Sequence, residues 1–138
     1  MHTRYVETSA LVAALLEGDA SAQRAIRGAG RLITSALTHG EAARAVQRAA
    51  ASGRISPAAA YSVVGALASF ARSCESVAVG DDVLARVGLP FPVEPVRTLD
   101  AIHIATVELL GAKPTLVTVV TRDARVRANS RAMGWRTE

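Results

Sequence analysis

Short apolar runs alternate with longer stretches of helical periodicity along the whole chain, and that alternation is its organising pattern. TRYVE, rich in β-branched and aromatic residues, predicts a first strand, and ALVAALLEG a helix behind Thr8 or Ser9 as cap. Asp19 to Gly28 predicts a second short helix and RLITS a second strand. Thr38-His-Gly-Glu41 has capping-box spacing, which puts Thr38 at the N-cap and Glu41 at N3 of a helix ending at Gly53. Ser56-Pro57 opens a further helix running to about Ser73. SVAVG then predicts a third strand and DDVLARVG a short helix; the three prolines of LPFPVEPV require an extended or looped segment. Thr98 is the expected cap of RTLDAIHIATVELLGA. LVTVVT predicts a fourth strand, RDARVRANSRAMG a helix ending at Gly134, and WRT a fifth strand at an edge. Strands alternating with helices imply right-handed crossovers. The expected fold is therefore a three-layer α/β/α sandwich around a parallel sheet of four to five strands.

Length and composition narrow this. The 138 residues suit one domain over 1–138, and with half of them apolar but only 4% aromatic, the core is built from aliphatic side chains. No segment reads as a targeting signal: ALVAALL is short and flanked by Glu7 and Glu17. ISPAAAYSVVGALASFA is slightly short for a membrane span and carries Pro57 and Gly65, so it is expected to be a buried core helix. The single Cys74 excludes an internal disulfide, fits a cytoplasmic location, and is read as a small core residue. The net charge is +4, carried by fifteen arginines and one lysine, Lys113. Arginine's planar fork suits phosphate oxygens, although a GC-rich genome produces the same bias.

Four acids fall where a strand-like run gives way to a helix-like one: Glu7, Glu41, Asp100 and Asp123. In a parallel sheet those junctions share one edge, the edge at which open α/β folds bind ligands. Carboxylates gathered there repel, and such a cluster usually persists by holding a hard divalent cation. Each acid also has a plainer explanation. Capping alone accounts for Glu41, the helix macrodipole favours Asp100, and Asp123 suits an early helical turn. Glu7 is harder to explain away, since it ends a strand with no basic neighbour nearer than Arg4. Asp81 and Asp82 read as ordinary helix-start residues, and the other acids as turn, helix-end or solvated residues.

The words around the four acids are more specific than their positions. An acid followed by TSAL, a Ser/Thr-rich strand end with an acid six residues on, RTLDAIHIA, and a strand followed by Thr-x-Asp together resemble the PIN domain. Size and coverage, from Arg4 to about Trp135, resemble the VapC toxins of bacterial type II toxin–antitoxin pairs. The resemblance implies an endoribonuclease dependent on Mg²⁺ or Mn²⁺ and neutralised by a cognate VapB-like antitoxin; a homodimer is expected because ISPAAAYSVVGALASFA and ALVAALLEG are richer in Ala, Val and Leu than one small domain needs to bury. It makes Glu7, Glu41, Asp100 and Asp123 the catalytic and metal-holding quartet, with Thr8, Ser9 and Thr121 in support. Family behaviour implies products with 5′-phosphate and 3′-hydroxyl ends. The family usually has Asp where this chain has Glu7; glutamate is a competent oxygen ligand, so activity is expected to be retained, and Glu7→Asp to keep or raise it.

His103, one helical turn from Asp100, is expected to pack or hydrogen-bond rather than react, and His39 to be a solvated first-turn residue. Arg44, Arg97, Arg122, Arg125, Arg127 and Arg131 are candidates for an RNA path as well as for ordinary solvated faces. Two other doubly wound enzyme classes fit badly. A dehalogenase-like site needs Asp-x-Asp where this chain has Glu-Thr-Ser, and a receiver domain needs a Lys after a late strand, whereas Lys113 precedes it. The remaining alternative is a PIN-fold module that binds RNA or protein without cutting, its site impaired by Glu7.

Overall fold

A computed structural model describes all 138 residues. Five strands form one parallel sheet: β1 (Thr3–Val6), β2 (Arg31–Ser35), β3 (Glu75–Val77), β4 (Val117–Val120) and β5 (Arg136–Thr137). Seven α-helices connect them: α1 (Thr8–Leu16), α2 (Ala20–Ile26), α3 (Ala36–Ala51), α4 (Pro57–Ser73), α5 (Asp81–Val87), α6 (Thr98–Leu109) and α7 (Ala124–Ala132). The strand order is β3-β2-β1-β4-β5, so the chain leaves β1 first toward one side and later returns to the other. That makes the gap beyond the carboxyl ends of β1 and β4 the topological switch point, where ligands enter such sheets.

The central strands are buried on both faces, and the pleat sorts their side chains. Tyr5, Ile33, Val117 and Val119 point into a core with Ala101, Ile104 and Ala105 of α6, Val83 of α5 and Val126 of α7. Val6 and Val120 point the other way, onto Ala10 and Leu11 of α1, Ala25 of α2, Ala42 of α3 and Phe70 of α4. Each fully buried aliphatic of this kind contributes about 1.5–3 kcal/mol. The small Ala side chains let α1 and α3 approach the sheet closely, which holds the ends of β1 and β2 together.

Several local expectations are corrected. The third helix begins at Ala36 rather than after Thr38: Ser35 is the N-cap, its Oγ accepting from Leu37 N at 3.1 Å. Thr38 is instead fully buried and accepts a hydrogen bond from Thr34 Oγ1, and Glu41 lies in the second turn, with no capping box. Strand β2 runs directly into its helix, so the first serine available takes the cap. Glu7 occupies the N-cap position of α1 and Arg97 that of α6, which places Thr8, Ser9 and Thr98 inside their helices. The third strand sits at Glu75–Val77, starting one residue before the expected SVAVG and ending three residues before it does. Most consequential is α4, expected in the core: Phe70 is its only buried residue, and Tyr61 is 85% exposed. Leu99, beside Asp100 in the first turn of α6, is also exposed. Cys74 is half-buried at the margin of the Val6–Val120 cluster, where burial pushes its thiol up. No helix is long and apolar enough to cross a membrane.

Candidate active site

The parallel register sets the site. Val6 pairs with Val120, so the residues that follow, Glu7 and Thr121, emerge side by side at the sheet edge. The pairing continues through Glu7 N to Val120 O at 3.0 Å, and Thr121 N is fixed by Glu138 O at 2.9 Å. Glu7 is 4% exposed. Its Oε2 accepts from Thr121 Oγ1 at 2.7 Å and from Ser9 Oγ in a short contact. A buried carboxylate without partners would be costly; two hydroxyls on one oxygen reduce that cost and fix the side chain. Thr121 Oγ1 in turn accepts from Asp123 N at 3.0 Å, and Ser9 Oγ from Arg122 N at 2.7 Å. Asp123 is the N-cap of α7, its Oδ1 accepting from Arg125 N and Val126 N, both at 2.9 Å.

Asp100 stands in the first turn of α6. Burial raises its carboxyl above the ordinary range, the negative charges of Asp123 and Glu7 raise it further, and His103 and Arg97 offset this only in part. Three acids from three separate elements are therefore within range of one another's charge. Glu41 is organised differently. Burial pushes its carboxyl up, but hydrogen bonds from His103 and Thr8, with the charges of His103 and Arg48, bring it below the usual value. Thr8 Oγ1 donates to Glu41 Oε1 at 2.6 Å, and His103 Nε2 stands 2.7 Å from the same oxygen. Tyr5 O–H reaches His103 Nδ1 at 2.7 Å. Burial, then the charges of Glu7 and Glu41, raise the Tyr5 phenol well above its normal value, so it stays protonated and donates. His103 is 1% exposed and bridges the core to Glu41, in line with its expected hydrogen-bonding role.

Other acids have ordinary structural employment. Asp19 caps α2 and binds Arg122 at 3.0 Å; Glu75, Glu108 and Glu138 pair with Arg31, Arg86 and Arg4. Glu7, Asp100 and Asp123 are in no ion pair, which sets them apart. Among the basic candidates, Arg122 is held by Asp19, Arg125 by Pro95 O at 3.3 Å and Arg127 by Thr121 O at 2.8 Å. Two participants escaped the sequence reading. Tyr5 lies two residues before Glu7 and so on the same face of β1, a period-two signal. Arg48 lies seven residues after Glu41, two helical turns along the same face.

The donors at this edge are all hard oxygens, the chemistry that suits Mg²⁺ or Mn²⁺ rather than a soft metal. No three His, Cys, Asp or Glu side chains stand close enough to enclose an ion by themselves. Mg²⁺ keeps several of its waters and is commonly held through one or two carboxylates, so an open oxygen set of this kind fits it. Charge around Asp100 is the second reason: a cation would relieve repulsion that His103 and Arg97 offset only in part.

Comparison with known proteins agrees with this architecture. The family profile of the PIN domain matches residues 4–131. Ribonuclease VapC35 of Mycobacterium tuberculosis is 35% identical over 133 residues, covering 94% of this chain and 90% of that protein. The fold is similar to the crystal structure of Mycobacterium tuberculosis VapC20, a sarcin-ricin loop cleaving toxin, with a TM-score of 0.67, 19% identity, and coverage of 96% of this chain and 95% of the other. It is also similar to a chain of VapBC-1 from nontypeable Haemophilus influenzae, with a TM-score of 0.63, 12% identity, and coverage of 99% and 96%. The acidic edge, the sheet that builds it and these likenesses together make the chain a member of the PIN-domain family, in its VapC ribonuclease branch.

Proposed function

We propose that the protein is an endoribonuclease toxin that cleaves RNA phosphodiester bonds at the carboxyl edge of its sheet and is neutralised by a cognate antitoxin. The observation that carries this reading is the convergence of Glu7, Asp100 and Asp123, unpaired with any cation, beyond the ends of β1 and β4. Kinship to a ribonuclease VapC adds the substrate class. In this reading Glu7, Asp100, Asp123 and Glu41 hold Mg²⁺ or Mn²⁺. Such an ion, when bound, would supply charge neutralisation at the phosphoryl oxygens and an activated water.

The chain's own residues prepare that site. Thr121 and Ser9 engage Oε2 of Glu7 and leave Oε1 available. Asp123 commits Oδ1 to the helix cap and leaves Oδ2 available. His103 and Thr8 keep Glu41 ionised at the flank, and Tyr5 holds His103 in place. Cleavage of an RNA pool by the parent at matched Mg²⁺ or Mn²⁺, and its loss in Asp100→Asn, test the assignment; equal cleavage by both proteins would sink it.

For the partner, α1, α2 and α4 enclose a groove of about 350 Å³ whose walls include Leu11, Leu15, Ile26, Ala66 and Phe70. An amphipathic antitoxin helix would lay its apolar face there. The exposed side of α4, with Tyr61 and Val64, supports a self-association face in a homodimer.

A further inference from the structure

Beside Glu41 lies an open cleft of about 480 Å³, lined by Leu37, Gly40, Glu41, Arg44, Arg48 and Leu99. Its chemistry is mixed in an unusual way. Arg44 and Arg48 are four residues apart on α3 and so project from one face of the helix, the face that carries Glu41. Both are exposed, and neither takes part in any of the ion pairs that occupy Arg4, Arg31, Arg86 and Arg122. Opposite them Leu99 is 49% exposed, although Ala101, Ile102 and Ile104 on the same helix are buried. Leu99 immediately precedes Asp100, so the apolar wall begins where the acidic edge ends.

We propose that this cleft holds the nucleotide next to the scissile phosphate, its phosphate against Arg44 and Arg48 and its splayed base against Leu37 and Leu99. The proposal rests on the ribonuclease reading above and adds to it the residues that choose the sequence cut. Single-stranded RNA supplies both halves of the required ligand: a phosphate for a planar guanidinium fork, and an unstacked base for apolar and guanidinium surfaces. The open cleft, at about 480 Å³, is large enough for one nucleotide. Gly40 helps keep it so. A Cβ built there meets nothing within 4 Å, which means that a side chain at this position would project into free space without straining the helix. Replacing Gly within a helix also favours the helix, so a cleft-filling variant is expected to fold.

The test separates binding from cleavage. With EDTA present, binding of a short fluorescein-labelled single-stranded RNA is followed by anisotropy across a salt series. Arg44→Ala/Arg48→Ala is expected to lose about tenfold in affinity at low salt, and its log–log salt slope to fall by about 0.7, the value for one single-strand phosphate contact removed. Gly40→Leu and Leu99→Ala are then compared with the parent in Mg²⁺ on a randomised RNA pool, with product ends sequenced. Both are expected to change the nucleotide preferred beside the cut. Parent-like affinity and slope in the double arginine variant, or parent-like nucleotide preference in Gly40→Leu, would overturn the proposal while leaving the ribonuclease reading intact. A double variant that binds RNA like the parent but loses its protein partner would reassign the cleft to that partner. A parent that neither binds nor cuts RNA would remove the ribonuclease reading and the subsite with it.

Discussion

Thr121 Oγ1 donates to Glu7 Oε2 at 2.7 Å and accepts from Asp123 N at 3.0 Å, so one hydroxyl ties two acids of the site together across the β1–β4 pair. Thr121→Val keeps the shape and removes both bonds. It is expected to destabilise the fold by about 1–3 kcal/mol, because Glu7 loses a buried donor and Asp123 N an acceptor. Cleavage should fall by an order of magnitude or more, on the order of one misplaced ligand. Thr121→Ser should restore most of both; thermal melting and RNA cleavage on the three proteins check this.

The same contact decides what Glu7 is for. The family pattern alone favours Glu7→Asp as neutral or activating. The two hydroxyls on Oε2 reverse that expectation, since a carboxylate shortened by one methylene retreats from Ser9 and Thr121 alike. Glu7→Asp is therefore expected to weaken Mn²⁺ binding and cleavage about tenfold, comparable with losses on disturbing a metal's outer shell. Glu7→Ala should cost nearly all activity. Calorimetric Mn²⁺ titration of parent, Asp and Ala variants orders them; cleavage by Glu7→Ala at the parent's rate would refute the ligand role.

Asp100 makes a prediction about stability and pH. Burial, then the charges of Asp123 and Glu7, raise its folded-state carboxyl above the ordinary range. A raised group favours the fold below its unfolded pKa, and that contribution is lost as pH rises through the folded value. At neutral pH in EDTA, Asp100→Asn should melt a few degrees above the parent, and the gap should close on acidification toward about pH 4, the ordinary aspartate range. Added Mg²⁺ should raise the parent's melting point more than the variant's. A gap that persists unchanged at acid pH would contradict the origin assigned to it.

Glu41 behaves in the opposite sense. Burial raises its carboxyl, and the bonds from His103 and Thr8 more than compensate. Its lowered value contributes stability above the unfolded pKa, lost as pH falls through the folded one. Removing the His103 contact by His103→Leu leaves burial with less opposition. The acid limb of the cleavage pH profile should then move to higher pH. Tyr5→Phe is expected to shift it less, because His103 still reaches Glu41.

The groove between α1, α2 and α4 carries the partner prediction. Ala66→Arg places a long charged side chain on its wall, away from the acidic edge. It should abolish co-purification with the co-expressed antitoxin while leaving RNA cleavage by the free toxin at the parent's rate. Loss of cleavage together with complex formation would instead show that the groove and the acidic edge are coupled.

How much of this was legible beforehand depends on the distance over which each feature is decided. The alternation of strand and helix, the parallel sheet, and the junction positions of Glu7, Asp100 and Asp123 follow from local periodicity and cap chemistry, which act within one turn or one strand. RTLDAIHIA and its companion words were enough to suggest the family. Choices among near-equivalent local options went the other way. Ser35 took the α3 cap from Thr38, because β2 turns into its helix without a loop, and this moved Glu41 from the first turn to the second. The apolar run of α4 read as core, but burial is set by what packs on a helix, and only the side bearing Phe70 meets the rest of the domain. The contacts that define the site lie beyond any local rule. Glu7 to Thr121, Glu41 to His103 and Tyr5 to His103 each join residues far apart in the chain, and each depends on strand order, register and helix docking acting together. The sequence supplied which side chains carry the chemistry; the packing of the sheet and its helices decided which of them touch.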